Sequence, residues 1–372
     1  MKKNLIFVLI DGARIDRLSE STEFNEIAKH GFLFDNVTTA FPYTVGAVNS
    51  IFTGRYGKEN GVDGYYKVLD LKKTATTITE ILKKNGYLTY CDLLHKNVIT
   101  ERGFDLHQAH DEYKDNLTEK HKNLLQNAFS EAKNSPIFCF LHFTNIHRET
   151  VSEVLKKYEW DDSEFYEDFE NNSKRYDLVF KNACFYSRSI IETVKKLDKD
   201  NNTIIVFFSD HGTGLGERYG ERNYGSYTYE ETIRTFYLFL GKEIQKNKIS
   251  SKLHSNLDIF PTILELCEIY NEKESVGRSL GKILTDESVE EFEDMYTFSE
   301  TGALHGPFPS PEKSNVFCIK SNKYKLLYLE EPNIWELYDL HNDPKEKNNI
   351  IDKNFSFIEE LKNKLLNWIN RE

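Results

Sequence analysis

The sequence has no apolar run of the ~20 residues a membrane-spanning helix needs, no CxxC pair, no basic excess and no low-complexity tract. Each absence removes a class of protein. The opening run from Leu5 to Ile10 is too short for the apolar core of a secretory signal, and it stops at Asp11. The five cysteines, Cys91, Cys139, Cys184, Cys267 and Cys318, are far apart and several stand in apolar runs. That is the pattern of reduced, buried thiols, not of a disulfide frame. No membrane anchor and a cytoplasmic location are the expectations. A net charge of −12 over 372 residues offers no basic face for a phosphate backbone, so no nucleic-acid-binding surface is expected. A small anionic ester is still admissible where a metal and local arginines focus positive potential. Composition assigns no oligomeric state. With 39% hydrophobic and 29% charged residues the chain is expected to fold rather than remain disordered.

Two stretches share one design. Asn4 to Gly12 is an apolar strand that ends on a carboxylate and a glycine, and Ile205 to Gly212 is an apolar strand that ends on Asp210 and His211. In α/β sheets the crevice outside the carboxyl ends of the strands is where ligands bind, so two acid-tipped strands imply one site. Between them the chain alternates in βαβ fashion, with strands expected at residues 32–37, 87–91 and 137–143 and helices at 23–30, 45–52 and 74–84. A charged, aromatic stretch at 149–174 reads as an insertion or lid over the sheet. A long helix is expected over 176–197, strands at 203–208 and 235–240, and a helix over 258–269 with Pro261 in its first turn. Near residue 290 the pattern changes to short strands at 296–299, 316–319 and 324–329, closed by an amphipathic helix at 355–368. The expected architecture is α/β: a central, mostly parallel sheet flanked by helices over 1–290, then a small antiparallel subdomain over 291–372.

Thr44 opens the expected helix in Thr44-Val45-Gly46-Ala47-Val48-Asn49, followed by Thr53-Gly54-Arg55. A hydroxyl at a helix N-terminus sits where free N–H groups favour an oxyanion or phosphoryl group, and beside a divalent cation it loses its proton more readily. Without further context the same threonine reads as an N-cap.

The ordered set of motifs resembles the alkaline phosphatase superfamily, near its sulfatase and phosphodiesterase branch. Asp11-Gly12, Thr53-Gly54-Arg55, Ser209-Asp210-His211-Gly212, Asp258-Ile259-Phe260-Pro261-Thr262 and Glu336-Leu337-Tyr338-Asp339 carry the resemblance along essentially the whole chain. It implies a metal held by Asp11, Thr44, Asp210 and His211, with Zn²⁺ or Mn²⁺ favoured by the imidazole and Ca²⁺ or Mg²⁺ as alternatives. A second metal is left open, with His254 and His305 as its weak candidates. The resemblance also implies catalytic roles for Thr44, His147 and Arg55, the last by orienting the nucleophile, and substrate contacts from Asn145 and Arg148. His142 reads as a core histidine. The departures redirect the chemistry. Sulfatases oxidise a Cys or Ser to formylglycine, which Thr44 cannot form, and the Pro and Arg of their motif are Gly46 and Val48 here. Thr in the nucleophile position resembles relatives that act at phosphorus. The expected function is a metal-dependent hydrolase of phosphodiesters or phosphonate monoesters, with a phosphoglycerol- or phosphoethanolamine-type transferase, a sulfuric ester hydrolase and a non-catalytic binding protein as alternatives.

Overall fold

Strand β1, Asn4–Ile10, runs between two parallel neighbours, β5 (Ile137–Phe143) and β6 (Thr203–Phe208), so its carboxyl end is flanked by theirs. The computed structural model describes residues 2–67, 70–159, 163–271, 275–290, 295–353 and 355–371. The main sheet also contains β2 (Phe32–Thr38), β3 (Leu88–Leu93), β4 (Leu106–Ala109), β7 (Arg234–Leu240), β8 (Lys248–Ser250) and β9 (His254–Ser255). Its order is β4-β3-β5-β1-β6-β7-β2-β8, with β9 also on β2. Among the described residues only β7 runs against its neighbours β6 and β2, so the sheet is mostly parallel, as expected.

Both faces of the sheet are covered, which is why the central strands read as unbroken apolar runs. Leu5, Phe7 and Leu9 pack with the buried face of α1 (Thr44–Thr53), and Phe7 meets Phe52 edge-on at 6.2 Å between ring centroids. Ile6, Val8 and Ile10 face α2 (Leu117–Ala132) and α4 (Phe169–Leu197).

A second sheet, antiparallel, is formed by β10 (Thr297–Thr301), β11 (Val316–Lys320), β12 (Tyr324–Leu329) and β13 (Ile334–Asp339). Helix α6 (Ile358–Ile369) packs against it, with Trp368 stacked on Phe298 at 4.9 Å. The junction with the main sheet is charged. Glu230 beside β7 receives Lys320 Nζ at 2.7 Å and Lys325 Nζ at 3.2 Å, and Lys325 also binds the fully buried Glu346 at 2.6 Å.

Several expected boundaries move for local reasons. The helix expected from residue 74 starts at Ile78, because Thr77 and Glu80 form a reciprocal capping box. The 258–269 helix begins with a 3-10 turn, Asn256–Asp258, before α5 (Ile259–Leu266). The 149–174 stretch is not a detached insertion. Helix α3 (Asn145–Glu153) leads into it, α4 already starts at Phe169, and Val154 and Phe165 are fully buried in the core. Residues 160–162 of that stretch lie outside the described residues. So do residues 291–294, where the expected subdomain boundary falls.

Candidate active site

Strand register brings the reactive groups together. Leu9 pairs with His142 on β5 and with Phe208 on β6, and parallel partners project to the same face. Two residues further along, Asp11 and Asp210 follow Leu9 and Phe208 onto that face. It is the face covered by α1, whose first residue is Thr44.

The ligand atoms of Asp11, Asp210 and His211 lie within 4.8 Å of one another, all three residues buried. Thr44 Oγ1 is 3.3 Å from His211 Nε2, which is 3.7 Å from Asp11 Oδ1 and 3.5 Å from Asp210 Oδ2. Gly12 adopts φ +69°, a left-handed turn that a side chain rarely takes, and its N–H donates to Asp210 Oδ1 at 3.2 Å. The N–H of His211 donates to the same oxygen at 3.0 Å.

These bonds leave particular atoms open. Asp11 Oδ1 and Asp210 Oδ2 are buried with no hydrogen-bond partner, a costly state for carboxylate oxygens unless something positive meets them. His211 Nδ1 is 2.7 Å from the carbonyl of Gly212, so it carries the proton and Nε2 presents a lone pair toward the carboxylates. Two carboxylate oxygens and an imidazole nitrogen, each freed by its own hydrogen bonds, fit a divalent metal ion. Burial pushes the Asp11 carboxyl up, yet His142, His147 and His211 together hold it below the usual carboxylate range. Asp210 is raised, by burial first and also by the Asp11 charge.

The start of α1, where Thr44 sits, packs tightly on the segment that precedes it. A Cβ on Gly46 would lie 2.5 Å from Cγ of Phe41, so the position that holds Pro in the sulfatase motif must be glycine here. Val48, at the motif's arginine position, is a fully buried core residue.

The other anticipated residues divide. His147, in the first turn of α3, belongs to the cluster's surroundings: its Nε2 is 3.2 Å from the Tyr224 hydroxyl and its Nδ1 is buried without a partner. Asn145 Oδ1 is likewise unpartnered. Arg148 turns away, donating to the Glu112 carbonyl at 2.5 Å and to Glu149 at 2.9 Å. Arg55 lies past the far end of α1, which carries the chain about 14 Å from Thr44 to Thr53 at 1.5 Å per residue. His254 packs on Phe34 and contacts Ser250 Oγ at 3.2 Å, and His305 is an exposed residue of an outer groove; neither joins the cluster. His142, expected as an ordinary core histidine, is bonded to Asp11 through Nε2 at 2.9 Å. Tyr224, whose ring lies 4.3 Å from that of His211, and His95 carried no signal in the sequence, since both come from irregular segments.

A cavity of about 220 Å³ opens on Thr44, lined by Tyr43, Tyr65, His95, His142 and Tyr224; among the described residues its lining holds no lysine or arginine. Tyr65 and Tyr224 also border a groove of about 500 Å³ walled by Tyr166, Tyr219 and residues 303–307.

Comparison with known proteins gives a consistent picture. The sulfatase family model matches residues 3–269, and the model described as N-sulphoglucosamine sulphohydrolase, C-terminal, matches residues 222–371. An N-acetylglucosamine-6-O-sulfatase of Bacteroides thetaiotaomicron is 28% identical over 171 residues, 44% of this chain and 29% of that protein. An arylsulfatase of Clostridium perfringens is 24% identical over 450 aligned positions, covering 95% of this chain and 91% of its own. Among solved structures, the phosphonate monoester hydrolase of Silicibacter pomeroyi superposes with a TM-score of 0.74 at 15% identity, over 98% of this chain and 94% of that one. The chain thus spans under a third of the first of these relatives and nearly all of the other two. Among the described residues, no helix is long and apolar enough to cross a membrane.

Proposed function

The chain belongs to the sulfatase family, and from that premise we propose that it cleaves phosphodiesters or phosphonate monoesters, rather than sulfate esters, through a covalent intermediate on Thr44. The observation that carries the reading is the Thr44 hydroxyl at the start of α1, 3.3 Å from His211 Nε2 and beside the unpartnered oxygens of Asp11 and Asp210. A threonine cannot become formylglycine, but its oxygen can attack phosphorus.

Asp11, Asp210 and His211 would hold a divalent ion, with Thr44 alongside; Zn²⁺ or Mn²⁺ suits the imidazole better than Ca²⁺ or Mg²⁺. Such an ion supplies Lewis acidity and lowers the pKa of a neighbouring hydroxyl. The chain's own groups do the rest. The deprotonated Thr44 oxygen attacks phosphorus in line, a P–O bond to the leaving group breaks, and His147 is placed to protonate the departing oxygen. Water then hydrolyses the phospho-threonine. The free N–H groups at the start of α1 face the developing charge.

Charge balance supports a singly charged ester. Two carboxylates offset a divalent ion, and the cavity lining adds no lysine or arginine to hold a dianion. The tyrosine-walled groove would receive the leaving group, since aromatic rings offer flat apolar faces with polar rims. Purified protein assayed with bis-p-nitrophenyl phosphate, p-nitrophenyl phosphonate monoesters, p-nitrophenyl phosphate and p-nitrophenyl sulfate tests this. Turnover of the first two is expected; dominant sulfate turnover refutes the assignment.

A further inference from the structure

A second buried group of metal-ligand type lies beneath the end of β3: Asp92, His110 and His121. It is a hydrogen-bonded chain in which no ring nitrogen is left over. Asp92 Oδ2 is 2.9 Å from both His110 Nδ1 and His121 Nε2, and Gln108 donates to Asp92 Oδ1 at 3.1 Å. The outer nitrogens are occupied too, His121 Nδ1 by the Tyr186 hydroxyl at 2.6 Å and His110 Nε2 by Thr144 Oγ1 at 3.1 Å. A single assignment of protons satisfies every bond. Tyr186 O–H donates to His121, both imidazoles donate to the Asp92 carboxylate, and Thr144 O–H donates to His110. Burial lowers the His121 imidazole, in keeping with a neutral ring at that position. An ion here would have to displace bonds already made, and the three protein ligands fall short of the four a closed structural site needs.

The end of this chain is what matters. Thr144 is the N-cap residue of α3, yet its hydroxyl caps nothing, because it is turned back to His110. A buried threonine at that position would ordinarily satisfy one of the helix's free N–H groups. Helix α3 carries Asn145 and His147, whose Oδ1 and Nδ1 are buried without hydrogen-bond partners, and the His147 charge is felt at Asp11. Tyr186 at the other end is stacked on Phe143, the residue before Thr144, with centroids 4.0 Å apart. Two elements, α2 and α4, are thereby joined through Asp92 to the strand-to-helix turn.

We propose that the chain Tyr186–His121–Asp92–His110–Thr144 is a positioning device for His147: it pins the start of α3 so that the imidazole faces the reacting group. Thr144 and His110 touch no substrate; they act through His147. The inference rests on the ester-cleaving reading, and the test separates the two.

Thr144→Val removes the donor at constant shape, and Thr144→Ser keeps it. With bis-p-nitrophenyl phosphate, T144V is expected to lower kcat on the order of tenfold with KM nearly unchanged, while T144S stays near wild type. In a double-mutant cycle, T144V added to His147→Ala should cost nothing more, because the first acts through the second. Additive losses overturn the proposal. Should the wild type cleave no ester in the panel, the functional reading fails and a second readout still decides the positioning. In protein labelled at histidine ¹³Cε1, the His147 resonance, assigned by its loss in His147→Ala, should move in T144V and not in T144S. A His147 resonance unmoved by T144V overturns the proposal. So does a bound ion, detected by elemental analysis, that is lost in His121→Ala but kept in Asp210→Asn.

Discussion

His142 Nε2 donates to Asp11 Oδ2 at 2.9 Å, while His142 Nδ1 receives the N–H of Leu94 at 3.4 Å. The second bond fixes the proton on Nε2, and the first leaves Asp11 Oδ1 as the one unpartnered oxygen of its carboxylate. A partner that orients a ligand from behind typically contributes 10–100-fold to metal affinity. His142→Ala is therefore expected to weaken divalent-metal binding by roughly that factor, measured by competition with a chromophoric chelator. Unchanged affinity would count against a metal at Asp11.

Thr44 should be irreplaceable except by another hydroxyl. Thr44→Ala is expected to lower kcat by roughly three orders of magnitude or more, since a missing nucleophile removes a step that nothing else supplies. Thr44→Ser should retain measurable turnover. Intact-protein mass spectrometry of an acid-quenched reaction should show a phosphoryl adduct in wild type and none in the alanine variant.

Gly46 couples the core to the reactive hydroxyl. Adding a methyl at Gly46→Ala forces Cβ onto Phe41 and displaces the start of α1, at a cost of about 1–3 kcal/mol for overpacking. Urea unfolding should show the loss, and activity should fall further than stability alone explains, because Thr44 moves with the helix. Wild-type stability in this variant would mean that Phe41 yields without strain.

Glu221 makes stability depend on pH. Burial pushes its carboxyl up to about 8 from an ordinary 4.5, although it accepts the N–H groups of Ser226 and Tyr227. Between those values the folded state binds more protons than the unfolded one, so stability falls as pH rises through the window. The urea midpoint should drop between about pH 5 and pH 8, and Glu221→Gln should flatten that drop. An unchanged slope in the variant would assign the dependence to other groups. Tyr219, Gly220 and residues 222–226, on either side of Glu221, wall the 500 Å³ groove.

Asp11, Asp210 and His211 were visible in the sequence because each closes an apolar run, and a strand buried on both faces leaves its first polar residues at its end. Thr44 was visible only through its neighbours, as a hydroxyl at the head of an apolar helix. Arg55 stands past the far end of α1, where linear nearness along a motif becomes distance along a helix. Arg148 follows the same logic, one residue past His147 and pointing elsewhere. His142 was hidden by its setting, since an imidazole in an apolar strand looks alike whether it serves the core or the site; only the Leu9–His142 register distinguishes them. Asp92, His110 and His121 come from three separate elements, and no local pattern announces their meeting. Strand β4 is a short, half-exposed edge whose four residues show no clean alternation.

Lys320 and Lys325 reach out of the second sheet to Glu230, beside the strand that flanks β6. Removing one partner of a buried ion pair costs about 3–5 kcal/mol, because the other charge is left stranded. A fragment cut before the second sheet would keep Asp11, Thr44, Asp210 and His211 but strand a carboxylate in its interior. The reactive half is then not a portable module: in domain shuffling or subcloning, the antiparallel sheet has to travel with it.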